Sequence, residues 1–155
     1  MKQIALIENN VIAITTIREK LARTLMDTGY TVTILTSGTP QQLQLARNKG
    51  FTVVDIGSST SNPFDIVRYL VTIYMALKRC RADVCLTFTI RPAIWGNIVT
   101  RLLHIPTITN ITGIGPLFSR NDVAYRGARV LYRFVLKKTA KLFFQNHDDM
   151  NIFVE

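Results

Sequence analysis

Gln3-Ile4-Ala5-Leu6-Ile7, followed by the polar triplet Glu8-Asn9-Asn10 and then by Ile14, Ile17, Leu21 and Leu25 at helical spacing, is the stretch that decides the fold of this chain. A short, nearly continuous apolar run suits a strand buried on both faces, as parallel strands are. The helical period that follows, over Ile12 to Asp27, suits a helix lying against that strand. Gly29 stands just past the last periodic residue, where a glycine commonly ends a helix, and Thr31 to Thr36 is rich in β-branched residues that favour a second strand.

The same rhythm runs outward to the end of the chain. Thr39 with Pro40 has the N-cap and N1 pattern of a helix start, Gly50 closes that helix, and Phe51 to Ile56 reads as a third strand. A polar loop from Ser58 to Pro63 leads into a helix over Phe64 to Arg81 and a fourth strand over Val84 to Phe88. Pro92 to Leu103 is expected as a helix with proline in its first turn, and Pro106 to Ile111 as a fifth strand. Arg126 to Thr139 follows as a helix and Lys141 to Gln145 as a sixth strand, and the last residues open a helix that the chain does not finish. Right-handed crossovers place such strands in one sheet with helices on both faces. The expected fold is α/β: a Rossmann-like doubly wound parallel sheet of about six to seven strands, a single domain over residues 1–155.

Composition excludes several classes. With 155 residues, 48% of them hydrophobic, the chain buries a core without help from disulfides or a metal. Cys80 and Cys85 lie five apart with no histidine nearby, which fits neither a zinc site nor a disulfide framework and reads as two free thiols in a reducing compartment. No metal site is expected. The longest apolar stretch, Ile66 to Leu77, is broken by Arg68 and falls short of the ~18 residues of a spanning helix. Glu8 interrupts what would be the apolar core of a signal peptide, and no small-residue cleavage site follows, so secretion is not expected. No G-x-G-x-x-G follows the first strand and no G-x-x-x-x-G-K-[ST] occurs, which argues against a dinucleotide dehydrogenase and a P-loop nucleotidase. His104 and His147, the two histidines, stand in no pattern of a catalytic triad.

The charge is one-sided. Nineteen lysines and arginines against ten acids give a net charge of +9, and from Arg91 to Lys141 there are nine basic residues and one acid, Asp122. A field of that sign attracts phosphates, whether on nucleic acid, an anionic membrane or a small molecule.

In an open parallel sheet, ligands bind beyond the carboxyl ends of the strands, so the loops there carry the candidate residues. Asn9 and Asn10 end the first strand and either hydrogen-bond sugar hydroxyls or simply form the turn. Thr87 and Thr89 at the fourth strand offer hydroxyls of the same kind. Arg91 begins the next helix, where its guanidinium fork and the helix N-terminus can hold a diphosphate, or where it is one more solvated arginine. After the fifth strand, Thr112-Gly113-Ile114-Gly115 is either a tight turn or a place where two residues without Cβ let a ligand approach the backbone.

Phe88-Thr89-Ile90-Arg91-Pro92-Ala93-Ile94-Trp95-Gly96, continuing through Ile105-Pro106 to Asn110-Ile111-Thr112-Gly113-Ile114-Gly115, resembles the block F-T-I-K-P-x-x-Y-G … I-P … T-G-L-G of bacterial polysaccharide glycosyltransferases of family 4. Asn9, then Arg18, then Gly29-Tyr30 resembles that family's opening pattern, although Thr16-Ile17 stands where a histidine or phenylalanine often precedes the arginine. Phe143-Phe144-Gln145-Asn146-His147-Asp148-Asp149 is similar to its F-Q-N-x-D-D segment. The likeness spans the chain but matches only the first half of such enzymes. It implies the acceptor-side, N-terminal half of a GT-B glycosyltransferase in capsule, O-antigen or protein-glycan synthesis. The C-terminal half, which holds the nucleotide-diphosphate sugar (a UDP-sugar) through a basic residue and a Glu-x7-Glu segment, is absent, so the isolated domain is expected to be inactive. It further implies a retaining, metal-independent transfer to an undecaprenyl-diphosphate-linked saccharide. Asn9, Asn10, Arg18, Thr89 and Arg91 would face the acceptor, and Thr112, Gly113, Ile114 and Gly115 would line the cleft near the donor phosphates. No catalytic base or nucleophile is named.

Arg129, Arg133, Lys137 and Lys141 recur every four residues, with Arg126 just upstream, beside an apolar face of Val130, Leu131, Phe134 and Val135. This is either a surface helix with a core side or a peripheral anchor to an anionic leaflet, where each basic residue adds about 1 kcal/mol. With the resemblance, the membrane reading is preferred, with Arg126, Arg129, Arg133 and Lys137 facing the inner surface of the cytoplasmic membrane. Two rivals remain. One is a standalone subunit that recruits a separate donor-binding partner to the membrane. The other is a basic nucleic-acid module, against which stands the lack of any helix-turn-helix, RNP-like or zinc pattern and of aromatics interleaved with the basic stripe.

Overall fold

The computed structural model of the chain describes residues 2–57, 62–113 and 123–154. Six strands, β1 (Gln3–Ile7), β2 (Thr31–Thr36), β3 (Thr52–Asp55), β4 (Val84–Phe88), β5 (Thr107–Ile111) and β6 (Lys141–Phe144), form one sheet in the order β3-β2-β1-β4-β5-β6. Every neighbouring pair is parallel. The connecting helices are α1 (Val11–Thr15), α2 (Glu19–Asp27), α3 (Pro40–Asn48), α4 (Pro63–Cys80), α5 (Ile90–Leu102), α6 (Val123–Leu136) and α7 (His147–Val154). This is the doubly wound sheet that the sequence pattern predicts.

Alternation along the strands divides the core into two layers. In β1, Ile4 and Leu6 join Val11, Ile14, Ala22, Leu43 and Phe88 beneath α1, α2 and α3, while Ala5 and Ile7 face Tyr69, Ile73, Leu77 and Val99 of α4 and α5. A third cluster, Ala93, Ile94, Ile111, Tyr132, Val135 and Leu136, seats α6 on the second layer. Trp95 packs between the two clusters on that side, as expected of a helix residue facing the sheet. The helix starts follow local chemistry. Thr39 makes a reciprocal capping box with Gln42, with Pro40 behind it, and Asn62 caps α4 ahead of Pro63.

Boundaries shift at several elements, α6 running over Val123–Leu136 rather than Arg126 to Thr139, and two of the differences bear on the site. The single helix expected over Ile12 to Asp27 is two, because Thr15 and Thr16 turn their hydroxyls back onto the carbonyls of Val11 and Ile12, and Arg18 N–H reaches past its usual partner to Ala13 O at 2.9 Å. Arg18 therefore lies in the break, at the N-cap of α2, rather than within a first helix. The other difference is at α5, which begins at Ile90, two residues ahead of Pro92; proline is tolerated there because first-turn N–H groups have no helical partner.

α5 sits unusually close to the sheet. A Cβ on Gly96 would stand 2.9 Å from Thr87 Cγ2 and 3.2 Å from Ile7 Cδ1. Behind it a buried polar network ties the layer together: Asn97 Nδ2 donates to Ala93 O at 2.7 Å and to Thr109 Oγ1 at 2.8 Å, and Thr87 and Thr109 share a hydrogen bond of 2.8 Å. Thr87 is thereby turned into the core and away from any ligand. Both thiols are free, Cys85 fully buried and Cys80 half-buried, and burial pushes each upward from its ordinary pKa.

Candidate functional site

The strand order reverses between β1 and β4, since the chain winds from β1 out to β3 and returns to β4 on the other side of β1. The crevice of such a sheet opens at the carboxyl ends of these two strands. Glu8 and Asn9 leave β1 there, and Thr89 and Arg91 leave β4.

Glu8 is 1% exposed. Its Oε1 accepts the backbone N–H of Asn9 at 2.8 Å and the Thr89 hydroxyl at 3.5 Å, and its Oε2 stands 3.6 Å from Arg18 Nε, an ion pair slightly longer than a hydrogen bond. The Arg18 guanidinium lies over the Phe88 ring, 4.5 Å from its centroid. Burial pushes the Glu8 carboxyl above its ordinary pKa, against the opposing pull of the Asn9 N–H, the Arg18 charge and the Thr89 hydroxyl.

Thr89 holds φ 65° and ψ 165°, a region that a side chain with Cβ rarely adopts. It caps α5 without a side-chain bond to the helix, so its hydroxyl does not occupy the first-turn N–H groups. Arg91, one residue into α5, is exposed at this point. Asn9 and Asn10 are both exposed, and the Asn10 side-chain oxygen accepts Ile12 N–H at 2.9 Å as the cap of α1. Thr112 and Gly113 follow β5, with Gly113 at φ 134° and open space where a Cβ would be. Ile114 and Gly115 lie outside the described residues. The structure thus brings Asn9, Arg18 and Thr89 together around Glu8, with Arg91 two residues past Thr89 at the same crevice, whereas the sequence reads Glu8 only as a loop residue.

Buried polar atoms without hydrogen-bond partners among the described residues mark the same edge of the sheet. They are Thr36 Oγ1 at the end of β2, Asn110 Oδ1 near the end of β5, Glu8 Oε2, Arg18 Nε and Tyr69 Oη. Such atoms are rare inside folded domains, and their concentration here fits an edge built to meet a polar ligand. Beside the crevice, beyond β3, lies a cavity of about 410 Å³ lined by Asp55, Gly57, Asp65, Arg68, Tyr69 and Thr72. Burial raises the Tyr69 phenol, and its ring packs in one cluster with Ile7, the last residue of β1, which sets this side of the cavity next to the crevice.

No group of His, Cys, Asp and Glu side chains able to hold a metal occurs among the described residues. His104 sits at the end of α5 in a left-handed turn, and His147 begins α7, both away from the β1–β4 crevice. No helix among the described residues is long and apolar enough to cross a membrane. Arg126 on α6 and Lys137 just past its end are exposed, whereas Arg129 and Arg133 are half-buried and engaged with neighbours. The apolar face expected beside them divides: Val135 turns into the core with Tyr132 and Leu136, while Val130 and Phe134 are 69% and 63% exposed.

The sequence profile of the family described as glycosyl transferase 4-like matches residues 3–146. The chain belongs to that family. No curated protein matches it at significant similarity. Among solved structures, a glycosyltransferase from Rickettsia africae superposes with a TM-score of 0.76 at 17% identity, over 99% of this chain and 39% of that one. MurG of Acinetobacter baumannii gives 0.69 at 14% identity, over 96% and 42%. The UDP-GlcNAc 2-epimerase of Methanocaldococcus jannaschii, solved with UDP-GlcNAc and UDP, gives 0.70 at 16% identity, over 99% and 43%. The chain therefore spans about two fifths of these structures and has the fold of one Rossmann-like half of a GT-B protein. Because that fold serves an epimerase as well as transferases, it is the family match that joins this chain to the glycosyltransferases.

Proposed function

We propose that this chain is the acceptor-binding half of a retaining sugar transferase, working against a second Rossmann-like half that holds a nucleotide-diphosphate sugar, whether that half is further polypeptide or a separate chain. The observation that carries the reading is the crevice between β1 and β4, where the exposed Arg91 and the first turn of α5 flank the strained Thr89. A guanidinium fork beside a helix N-terminus suits a diphosphate, and a lipid-linked saccharide diphosphate is the acceptor chemistry that the family resemblance implies. The UDP-sugar bound by the epimerase neighbour supports a donor of the nucleotide-sugar class. In such a cleft the halves position the two substrates and stabilise the departing diphosphate, so Glu8 and Arg18 act by holding the crevice in shape.

The same reading places the protein on the inner face of a bacterial cytoplasmic membrane during surface-polysaccharide synthesis. What supports it is the exposed stripe of Arg126, Val130 and Phe134 on α6 with Lys137 just past its end, apolar at its centre and basic at both ends.

The test is a titration of the whole chain with farnesyl-diphosphate-linked N-acetylhexosamine and, separately, with UDP-sugars, followed by amide chemical shifts. Saturable acceptor binding centred on Thr89, Arg91 and Thr112, lost in Arg91→Ala, is the expected result. Tight UDP-sugar binding with no response to the acceptor would assign this chain to the donor side instead.

A further inference from the structure

The cavity beyond β3 has a chemistry opposite to that of the crevice. Asp55 contributes from the last position of β3, and Asp65, Arg68, Tyr69 and Thr72 from the first turns of α4. Two carboxylates against one guanidinium repel a phosphate. Tyr69 is only 3% exposed, its ring lies in the core with Ile73 and Leu77, and its hydroxyl has no partner among the described residues. Buried tyrosine hydroxyls ordinarily find one. Carboxylates that accept, a guanidinium that donates and a phenol that does either form the set that meets the alternating hydroxyls of a sugar ring.

We propose that the Asp55–Asp65–Arg68–Tyr69 cavity binds a neutral saccharide ring of the acceptor, next to the diphosphate at Arg91. This rests on the acceptor reading and adds a separate specificity pocket to it. Phosphate and sugar then occupy neighbouring sites of opposite charge, with Tyr69 at the boundary. Selectivity among acceptors comes from the hydroxyl pattern that meets Tyr69, because a ring lacking the matching hydroxyl leaves the buried phenol unpaired.

The experiment titrates methyl glycosides of hexoses and N-acetylhexosamines at millimolar concentration into the whole chain. The Gly57 amide, which donates to Asp55 Oδ1 at 2.9 Å, serves as reporter. At least one glycoside is expected to shift Gly57 and the α4 amides saturably. Tyr69→Phe, which keeps the ring, should weaken that binding roughly three- to tenfold, and Asp55→Asn by about tenfold or more. Inorganic phosphate should leave these amides unmoved. If farnesyl-diphosphate-linked N-acetylhexosamine perturbs Thr89 and Arg91 but neither it nor any glycoside perturbs Gly57, the pocket is wrong while the acceptor reading stands. If no probe binds at either place, both fail. Phosphate shifting Gly57, or equal glycoside binding by the parent and both variants, overturns the saccharide assignment.

Discussion

Arg18 Nε stands 3.6 Å from Glu8 Oε2, with 11% of the Arg18 side chain and 2% of the Glu8 side chain exposed. The pair links the break between α1 and α2 to the end of β1, and through Thr89 to the start of α5. Three elements from both sides of the switch point thus converge on one carboxylate.

Removing the cation should strand that carboxylate. Arg18→Met deletes the charge that holds the Glu8 pKa down, so its folded-state value rises further above the ordinary 4.5. A carboxyl raised on folding favours the folded state less as pH climbs through its folded pKa, because the native form holds the proton longer than the unfolded one. The variant is expected to lose about 3 kcal/mol at pH 8 and less at pH 5, because the loss shrinks as the pH falls toward the raised pKa of Glu8. Adding Glu8→Gln to Arg18→Met should recover part of the loss at pH 8. Urea unfolding at the two pH values measures this, and equal losses at both would show that the two groups are uncoupled.

Gly96 offers a steric prediction. Alanine there meets Thr87 Cγ2 at 2.9 Å, and Thr87 cannot rotate away without breaking its 2.8 Å bond to Thr109. Overpacking costs about 1–3 kcal/mol and the gain in helix propensity returns up to about 1, leaving a net loss of about 1–2 kcal/mol. Thr87→Ser, which keeps the hydroxyl and deletes the offending methyl, should rescue Gly96→Ala in thermal or urea unfolding. A double variant no better than the single one would place the clash elsewhere.

Much of this architecture is legible in the sequence, and the parts that are not have physical causes. The strands are short β-branched runs punctuated by glycines such as Gly29 and Gly50, and these signals are local. The break at Thr16 is not legible, because two adjacent threonines inside an apolar helical period are compatible with an unbroken helix until their hydroxyls bond back to Val11 and Ile12. Glu8 reads as a loop residue because a lone carboxylate is ordinarily solvated, and its burial depends on an arginine that arrives one helix later. Arg91 and Thr89 are candidates in the sequence because both lie at a strand end. The cavity at Tyr69 is not legible there, because Asp55 and α4 approach one another only through the crossover, and an aromatic in a helical apolar period reads simply as core.

Thr89 sits in a strained backbone conformation at φ 65° and ψ 165°, held by β4 on one side and α5 on the other. Strain of this kind is typically about 1–3 kcal/mol and is relieved by glycine alone. Thr89→Gly is therefore expected to be more stable than Thr89→Ala by about 1 kcal/mol, although both lose the hydroxyl bond to Glu8. Comparing the two by urea unfolding separates backbone strain from the side-chain contact. Equal stabilities would mean that the conformation carries no strain.

The membrane reading makes its prediction through exposed residues only, since Arg129 and Arg133 are half-buried and their replacement confounds docking with folding. Arg126 and Lys137 carry the electrostatic part and Val130 and Phe134 the apolar part. Each basic residue near an anionic surface is worth about 1 kcal/mol, so Arg126→Glu with Lys137→Glu should weaken co-sedimentation with phosphatidylglycerol vesicles by about thirtyfold or more at low salt. That difference should shrink as salt is raised, because exposed charges are screened within a Debye length of about 8 Å at physiological ionic strength. Val130→Ser with Phe134→Ser should instead weaken binding at every salt concentration, because apolar insertion is not screened. Charge reversal that leaves low-salt sedimentation unchanged would remove α6 from the membrane, and loss in the charge variant alone would make the contact purely electrostatic.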